Sequence, residues 1–329
     1  MSLGSQPLSG AAGLSARLEE HGYAVFENAA SSEWSASVAR DIAGLHARDL
    51  LQRSLNRVAT SRGEQGSSGA PAPPPTGEVC EKAGVYEQDL LLNGAVLHPQ
   101  ALAAAASLQS WVDACGPTAL LAQLNAAAPW LALTHLDTLK VQLNEGLGGC
   151  FPLHFDTTPE TSSRTLTAIL YLSTAWTVAA GGQLRLHPFP LAPVDIEPQA
   201  GRLVVFSSTA LLHRVLPAHA RRCVLSLWFS GQHKRPFPSR YPGWVSQQDA
   251  QTAQLLAFLR CPVNARLLCK VLLCDDWARS IREAFGSGPG VEAALALHYS
   301  EVGLLQQRVN PPLLALLRET LPLRSPEET

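Results

Sequence analysis

Between residues 135 and 232 apolar side chains recur at every second position in short runs, the period of half-buried strands. Leu139–Leu143 alternates in this way, and Thr165–Leu172, Gly182–His187, Arg202–Phe206, Leu211–Val215 and Cys223–Phe229 are further strand candidates. Turn residues separate the runs: Gly146, Gly148 and Gly149, then Gly181 and Gly182, Pro190, and Pro198–Gly201. Many short strands bounded by turn residues predict a closed or double-sheet β architecture, and a jelly roll gathers side chains from several strands at its mouth. Upstream, residues 14–27 predict a short amphipathic helix stopped by Gly22, followed by a strand at Tyr23–Phe26. Val38, Ile42, Leu45, Leu50 and Leu51 fall at helical spacing, which predicts a second helix over 33–56. A strand is expected near Val85–Leu92, then an Ala/Leu-rich helical region at about 99–127 interrupted near Gly116 and Pro117. From about 246 to 323 the pattern returns to helix, with a break at Ser287–Gly290. There is no internal repeat.

These elements give an α+β chain: a double-stranded β-helix (jelly-roll) core, N-terminal supporting helices and a C-terminal helical extension. The expected order is a helix-strand-helix segment (1–59), a disordered insertion (60–78), a supporting strand and helices (79–134), the core (135–232) and the extension (233–329). The insertion is expected to be disordered because its Ser, Gly and Pro residues, among them Pro71, Pro73, Pro74 and Pro75, bury no apolar surface.

Composition excludes several classes. Of 329 residues, 46% are hydrophobic and 16% charged, enough for a sizeable core, and the net charge of −2 gives no broad basic field for nucleic acid. The seven cysteines are odd in number and form no Cys-x-x-Cys pair, so neither a disulfide framework nor a zinc module is suggested. The first twenty residues lack a basic stretch followed by a long apolar one, and no run reaches the length of a membrane span. A soluble intracellular protein is expected, with organelle targeting left open.

Candidate chemistry concentrates in two stretches of the core, Leu153-His154-Phe155-Asp156 and Leu212-His213-Arg214, the second followed by Arg222. A His-x-Asp step alone occurs by chance in many proteins, and His213 alone, in an apolar segment, reads as a core histidine. Together they supply two imidazoles and one carboxylate, the ligand set of non-haem Fe(II) oxygenases, which leave the opposite face of the metal open. On a strand, His154 and Asp156 would point to the same face. The strand from Arg222 is apolar on both faces, Val224, Ser226 and Trp228 sharing the side of Arg222 and Cys223, Leu225, Leu227 and Phe229 the other. Arg222 is therefore buried and needs an anion. Asp195 or Glu197 could provide it, but a ligand carboxylate gripped by the guanidinium fork is the preferred reading.

From about Lys140 to Ser230 the chain resembles the 2-oxoglutarate- and Fe(II)-dependent dioxygenases, specifically the prolyl 4-hydroxylase-like superfamily. The resemblance rests on His154-x-Asp156, the Tyr171 strand, Gly181-Gly182-Gln183-Leu184, Ile196–Phe206, His213, and Arg222 ahead of Trp228 and Phe229. It implies that His154, Asp156 and His213 bind Fe(II) and that Arg222 pairs with the distal carboxylate of 2-oxoglutarate, with Tyr171 against the same carboxylate. It further implies that Ile169, Leu184 and Val215 wall that pocket and that Ser226 and Trp228 line it along the Arg222 strand. Asn144 departs from the pattern, since several oxygen-sensing prolyl hydroxylases carry a Tyr there; with Glu160 and Arg164 it is expected at the substrate rim. Asp156, where a halogenase needs a vacant position, argues against halogenation. The implied reaction consumes O2 and 2-oxoglutarate, releases succinate and CO2, and hydroxylates a substrate, with ascorbate keeping the iron reduced. The substrate read first is a protein side chain, most naturally prolyl. A small molecule or nucleic acid is the alternative of the same chemistry, and a non-catalytic binding protein on the same barrel the alternative of another class. The helical tail is read as a packed extension covering the barrel rather than a partner surface.

Overall fold

The computed structural model of the protein describes residues 1–59, 77–158, 160–232, 258–259 and 261–323. Residues 60–76 of the expected insertion, and the part of the extension at 233–257, lie outside the described residues. The larger sheet runs in the order β1 (Tyr23–Phe26), β10 (Leu203–Ser207), β7 (Arg164–Tyr171), β12 (Arg222–Gly231), β5 (Leu133–Asn144), β3 (Gly77–Leu92) and β2 (Gln52–Ala59). The two-residue β4 (Ala95–Val96) pairs with β3. The smaller sheet runs β6 (Phe151–His154), β11 (Leu212–Val215), β8 (Leu184–His187) and β9 (Val194–Ile196). Every pairing is antiparallel.

Alternation along β12 decides which residues meet the site. Cys223, Leu225, Leu227 and Phe229 join a core with Leu14 and Leu18 of α1 (Leu14–His21) and with Val38, Ile42 and Leu45 of α2 (Ser32–His46). Helices α4 (Ala106–Asp113) and α5 (Gly116–Ala127) add Leu108, Trp111, Leu120 and Leu124 to that core. Val224, on the other face, joins Ile169, Tyr171, Leu184, Phe206 and Val215 between the two sheets. The strand is apolar on both sides because helices cover one side and the barrel interior the other.

Local signals hold where the chain supplies the cap itself. The Ser31 hydroxyl caps α2 by accepting the Trp34 N–H at 3.3 Å. Gly22 ends α1 in the left-handed region (φ 77°), its N–H bonding to the Leu18 carbonyl. The expected helix over 33–56, in contrast, ends at His46. Asp49 takes a left-handed turn (φ 55°), and Gln52–Ala59 becomes a strand paired with β3. Leu50 and Leu51 fit a helical period by coincidence, and tertiary pairing overrides a segment of weak strand propensity. β3 likewise begins at Gly77, inside the stretch expected to be disordered, because β2 and β5 flank it.

The C-terminal extension forms α6 (Pro262–Leu272), α7 (Cys274–Phe285), α8 (Pro289–Gln306) and α9 (Pro311–Thr320). Cys269 and Leu273 pack on Leu153 of β6 and Leu212 of β11, so these helices cover the outer face of the smaller sheet. Among the described residues no helix is long and apolar enough to cross a membrane.

Candidate metal centre and co-substrate cavity

Antiparallel register brings the two histidines together. His154, the last residue of β6, lies opposite His213 of β11, and their rings sit 4.3 Å apart. Asp156 does not continue the strand as expected: β6 ends at His154 and the chain bends at Asp156. The aspartate reaches the histidines from this bend, its Oδ1 3.6 Å from His154 Nε2 and 3.5 Å from His213 Nε2. One ligand atom from each of the three residues lies within 4.8 Å of the others.

The hydrogen bonds around the triad leave its inner atoms free. His154 Nδ1 is 2.8 Å from the Pro152 carbonyl and His213 Nδ1 is 3.1 Å from that of Leu211. A carbonyl accepts only, so each Nδ1 donates, and in the neutral ring each Nε2 then keeps its lone pair for a metal. Asp156 Oδ2 accepts from the Thr167 hydroxyl and from Trp228 Nε1 at 3.1 Å, turning Oδ1 to the histidines. Burial disfavours the charged carboxylate, but the charge and N–H bonds that His213 and His154 offer when protonated outweigh it and hold the Asp156 pKa well below the usual carboxylate range. Two neutral imidazoles and one fixed carboxylate, converging with an open side, fit a divalent iron.

The triad borders a cavity of about 260 Å³ that Ile169, Leu184, Val215, Arg222, Val224, Ser226 and Trp228 also line. Arg222 is 3% exposed. Neither carboxylate considered for it is its partner: Asp195 forks onto Arg185 at 2.7 and 2.8 Å, and Glu197 is 3.7 Å from Arg202. Among the described residues Arg222 makes no ion pair; its Nη1 donates to Gln142 Oε1 at 3.4 Å and its Nε is buried with no acceptor. The guanidinium lies 5.3 Å from the Tyr171 ring centre, and among the described residues the buried Tyr171 hydroxyl has no acceptor for its proton. Burial raises the Tyr171 pKa against the opposing charge of Arg222, keeping the phenol a donor. Unsatisfied buried donors are costly, and two side by side beneath a metal-ligand set fit the distal carboxylate of 2-oxoglutarate. Gly182 makes room here: at φ 73°, a Cβ on it would stand 3.0 Å from Arg222 Cδ.

The expected rim residues fall elsewhere. Asn144 is 1% exposed and holds a turn, its amide donating to the Gly149 carbonyl at 2.8 Å and accepting the Gly146 N–H at 2.9 Å. Buried in its own loop and absent from the cavity lining, this amide does not stand at a substrate rim. Glu160 is exposed and does not line the cavity. Arg164 is bound to Asp137 at 2.5 Å and lies 5.1 Å over the Trp228 ring, so it supports the indole that holds Asp156.

Two contributors gave no sequence signal. Lys82 of β3 is 2% exposed and lines the cavity, its pKa pushed down to about 8 by burial. Arg266 of α6 stacks 4.1 Å over Phe155, between the two ligands of the His-x-Asp step, and its Nη1 donates to the carbonyls of Thr157 at 3.0 Å and Thr209 at 2.5 Å. It thus ties the bend carrying Asp156 to the turn before His213. From α7, Ser280 Oγ accepts the Leu153 N–H at 3.0 Å and Glu283 pairs with Arg214. We expect Arg266→Met to weaken Fe(II) binding by about ten- to a hundredfold, the range for outer contacts of metal ligands. Metal titration followed by circular dichroism checks this, with Arg266→Lys recovering part of the loss.

A family model described as the 2OG-Fe(II) oxygenase superfamily matches residues 139–230, the stretch that carries the triad and Arg222. Over this stretch the chain is similar to the 2OG-Fe(II) oxygenases. Over 93 residues the chain is 36% identical to a hypoxia-inducible factor prolyl hydroxylase of Caenorhabditis elegans, a match that covers 27% of this chain and 13% of that protein. A solved structure of a prolyl 4-hydroxylase from Phytophthora capsici is similar over most of both chains: TM-score 0.66, 27% identity, 94% of this chain and 91% of that one. A prolyl hydroxylase from Trichoplax adhaerens, solved with a hypoxia inducible factor oxygen degradation domain peptide, shares the fold at TM-score 0.50 and 22% identity, covering 70% of this chain and 93% of that one. The likeness to the Phytophthora structure extends beyond residues 139–230 to the flanking helices. The jelly-roll core with helices at both ends agrees with the architecture expected from strand spacing.

Proposed function

We propose that the protein is an Fe(II)- and 2-oxoglutarate-dependent hydroxylase acting on a protein side chain, in the manner of a prolyl 4-hydroxylase. The observation that carries the chemistry is the free inner face of His154, Asp156 and His213 bordering the same cavity as the unpaired Arg222. The likeness over 94% of the chain to a prolyl 4-hydroxylase supports the substrate class. When bound, Fe(II) would supply the oxidation, splitting O2 between succinate, formed with CO2 from 2-oxoglutarate, and a hydroxylated substrate carbon.

The side chains bind, orient and shield. His154, Asp156 and His213 would hold the iron through two imidazole nitrogens and one carboxylate oxygen. Arg222 and Tyr171 fix the distal carboxylate, and Arg222 alone offers a planar fork to two oxygens. Ile169, Leu184, Phe206 and Val215 keep water from the co-substrate. No protein base is needed, because substrate is oxidised at a C–H bond. Ascorbate is expected to sustain turnover by keeping iron reduced. The test is to incubate the protein with Fe(II), 2-oxoglutarate and air against a library of proline-containing peptides. One oxygen atom gained at proline by mass spectrometry, dependent on 2-oxoglutarate, is expected. Oxidation confined to metabolites in a parallel pool would overturn the substrate class.

A further inference from the structure

One cation lining the cavity has no partner in the chemistry already described. Lys82, Lys140 and Arg222 line the cavity against Glu87 and Asp156. Lys140 is already paired, with Glu87 at 3.4 Å and Asp89 at 3.6 Å. Arg222 has a partner in the co-substrate. Lys82 is the lining cation left without a carboxylate at ion-pair distance among the described residues.

Lys82 is built into the wall. Its ammonium donates to Ser54 Oγ and Asn56 Oδ1, each at 3.1 Å, and sits 4.5 Å over the Phe151 ring, which also lines the cavity. These partners are neutral, and among the described residues no carboxylate lies within ion-pair distance of it. Two of its three protons are used, which leaves one for a ligand. Burying an ammonium without a counter-charge destabilises the fold, and such a cost persists where function requires the charge.

We propose that Lys82 anchors a carboxylate on the primary substrate, so that the site selects substrates bearing an acidic group close to the carbon oxidised. This rests on the Fe(II)/2-oxoglutarate reading of the cavity. The carboxylate belongs either to a free amino acid or to an acidic residue or C-terminus of a peptide.

Trifluoroacetate is a carboxylate probe that needs no substrate identity. With the anaerobic Fe(II)- and 2-oxoglutarate-loaded protein, its 19F resonance should show saturable broadening in wild type and in Lys82→Arg. Lys82→Met should weaken that binding at least tenfold, keep the 2-oxoglutarate affinity within about twofold, and raise the melting temperature of the metal-free protein. Equal probe binding in wild type and Lys82→Met, or a loss of 2-oxoglutarate affinity in Lys82→Met, would overturn the proposal. Matched probes then separate the sources by stimulated succinate release: L-proline against L-prolinamide, and a proline peptide with a neighbouring Glu against its Gln counterpart. Preference for the acid member, erased by Lys82→Met, is expected in one pair, and equal stimulation by acid and amide members overturns the proposal. Silence of every proline probe with the trifluoroacetate result intact would instead reject the prolyl reading and leave the Lys82 anchor standing.

Discussion

Asp156→Ala and His213→Ala are each expected to abolish 2-oxoglutarate turnover and to weaken Fe(II) binding by more than about a hundredfold. The bound follows from chemistry: outer contacts of metal ligands already cost ten- to a hundredfold, and a ligand costs more than its support. An open site has three protein donors to lose, and among the described residues no further His, Cys, Asp or Glu joins the cluster. The nearest polar groups to Asp156, Thr167 and Trp228, hold its Oδ2 and do not face the histidines' Nε2 atoms. His154→Ala belongs to the same set, and its 37% side-chain exposure makes it the variant least confounded by folding. Metal affinity by competition with a chromogenic chelator, together with circular dichroism, measures the effect. Near-wild-type affinity in folded His154→Ala or His213→Ala would remove the triad assignment.

Arg222→Ala comes second in size and separates co-substrate binding from metal binding. It removes both arms of the fork, each charge-assisted bond worth about 1.5–3 kcal/mol, so 2-oxoglutarate affinity should fall by on the order of a hundredfold or more. Arg222→Lys, which keeps the charge but loses the planar geometry, should fall by about ten- to a hundredfold. Fe(II) affinity should change little in both. Because Arg222 is buried without a carboxylate partner, the metal-free Arg222→Met protein should melt no lower than wild type. A structural ion pair would give the opposite result. Arg221 is exposed and adjacent, and its Ala variant should titrate with 2-oxoglutarate as wild type does. Impairment in Arg221→Ala with normal Arg222→Ala would reverse the strand register.

The parts of the site legible in the chain are those carried by strand alternation and ligand chemistry. The faces read along Arg222–Phe229 agree with the observed split between Val224, inside the barrel, and Cys223, Leu225, Leu227 and Phe229, against the helices. His154, Asp156 and His213 were identifiable as a set because few other reasons bring that donor combination together, although Asp156 acts from a bend rather than the strand. Long-range partners were not legible. Arg266 and Ser280 act on the triad segments from helices more than a hundred residues away, and nothing local marks them. Lys82 sits on a strand whose partner β2 was read as helix, so its burial could not be seen. Asn144 looked available because its turn, with Gly146 and Gly149 as its partners, is a local hydrogen-bond motif that residue type alone does not reveal.

The most direct test of the whole account is anaerobic titration of the purified protein with Fe(II) and 2-oxoglutarate, following the visible charge-transfer absorbance of an iron–2-oxo acid chelate. Stoichiometric, saturable absorbance is expected in wild type, with no absorbance in Asp156→Ala. In Arg222→Ala it should appear only at much higher 2-oxoglutarate. Wild-type protein that gives no such absorbance, or Asp156→Ala protein that gives it undiminished, would contradict the assignment of the cavity.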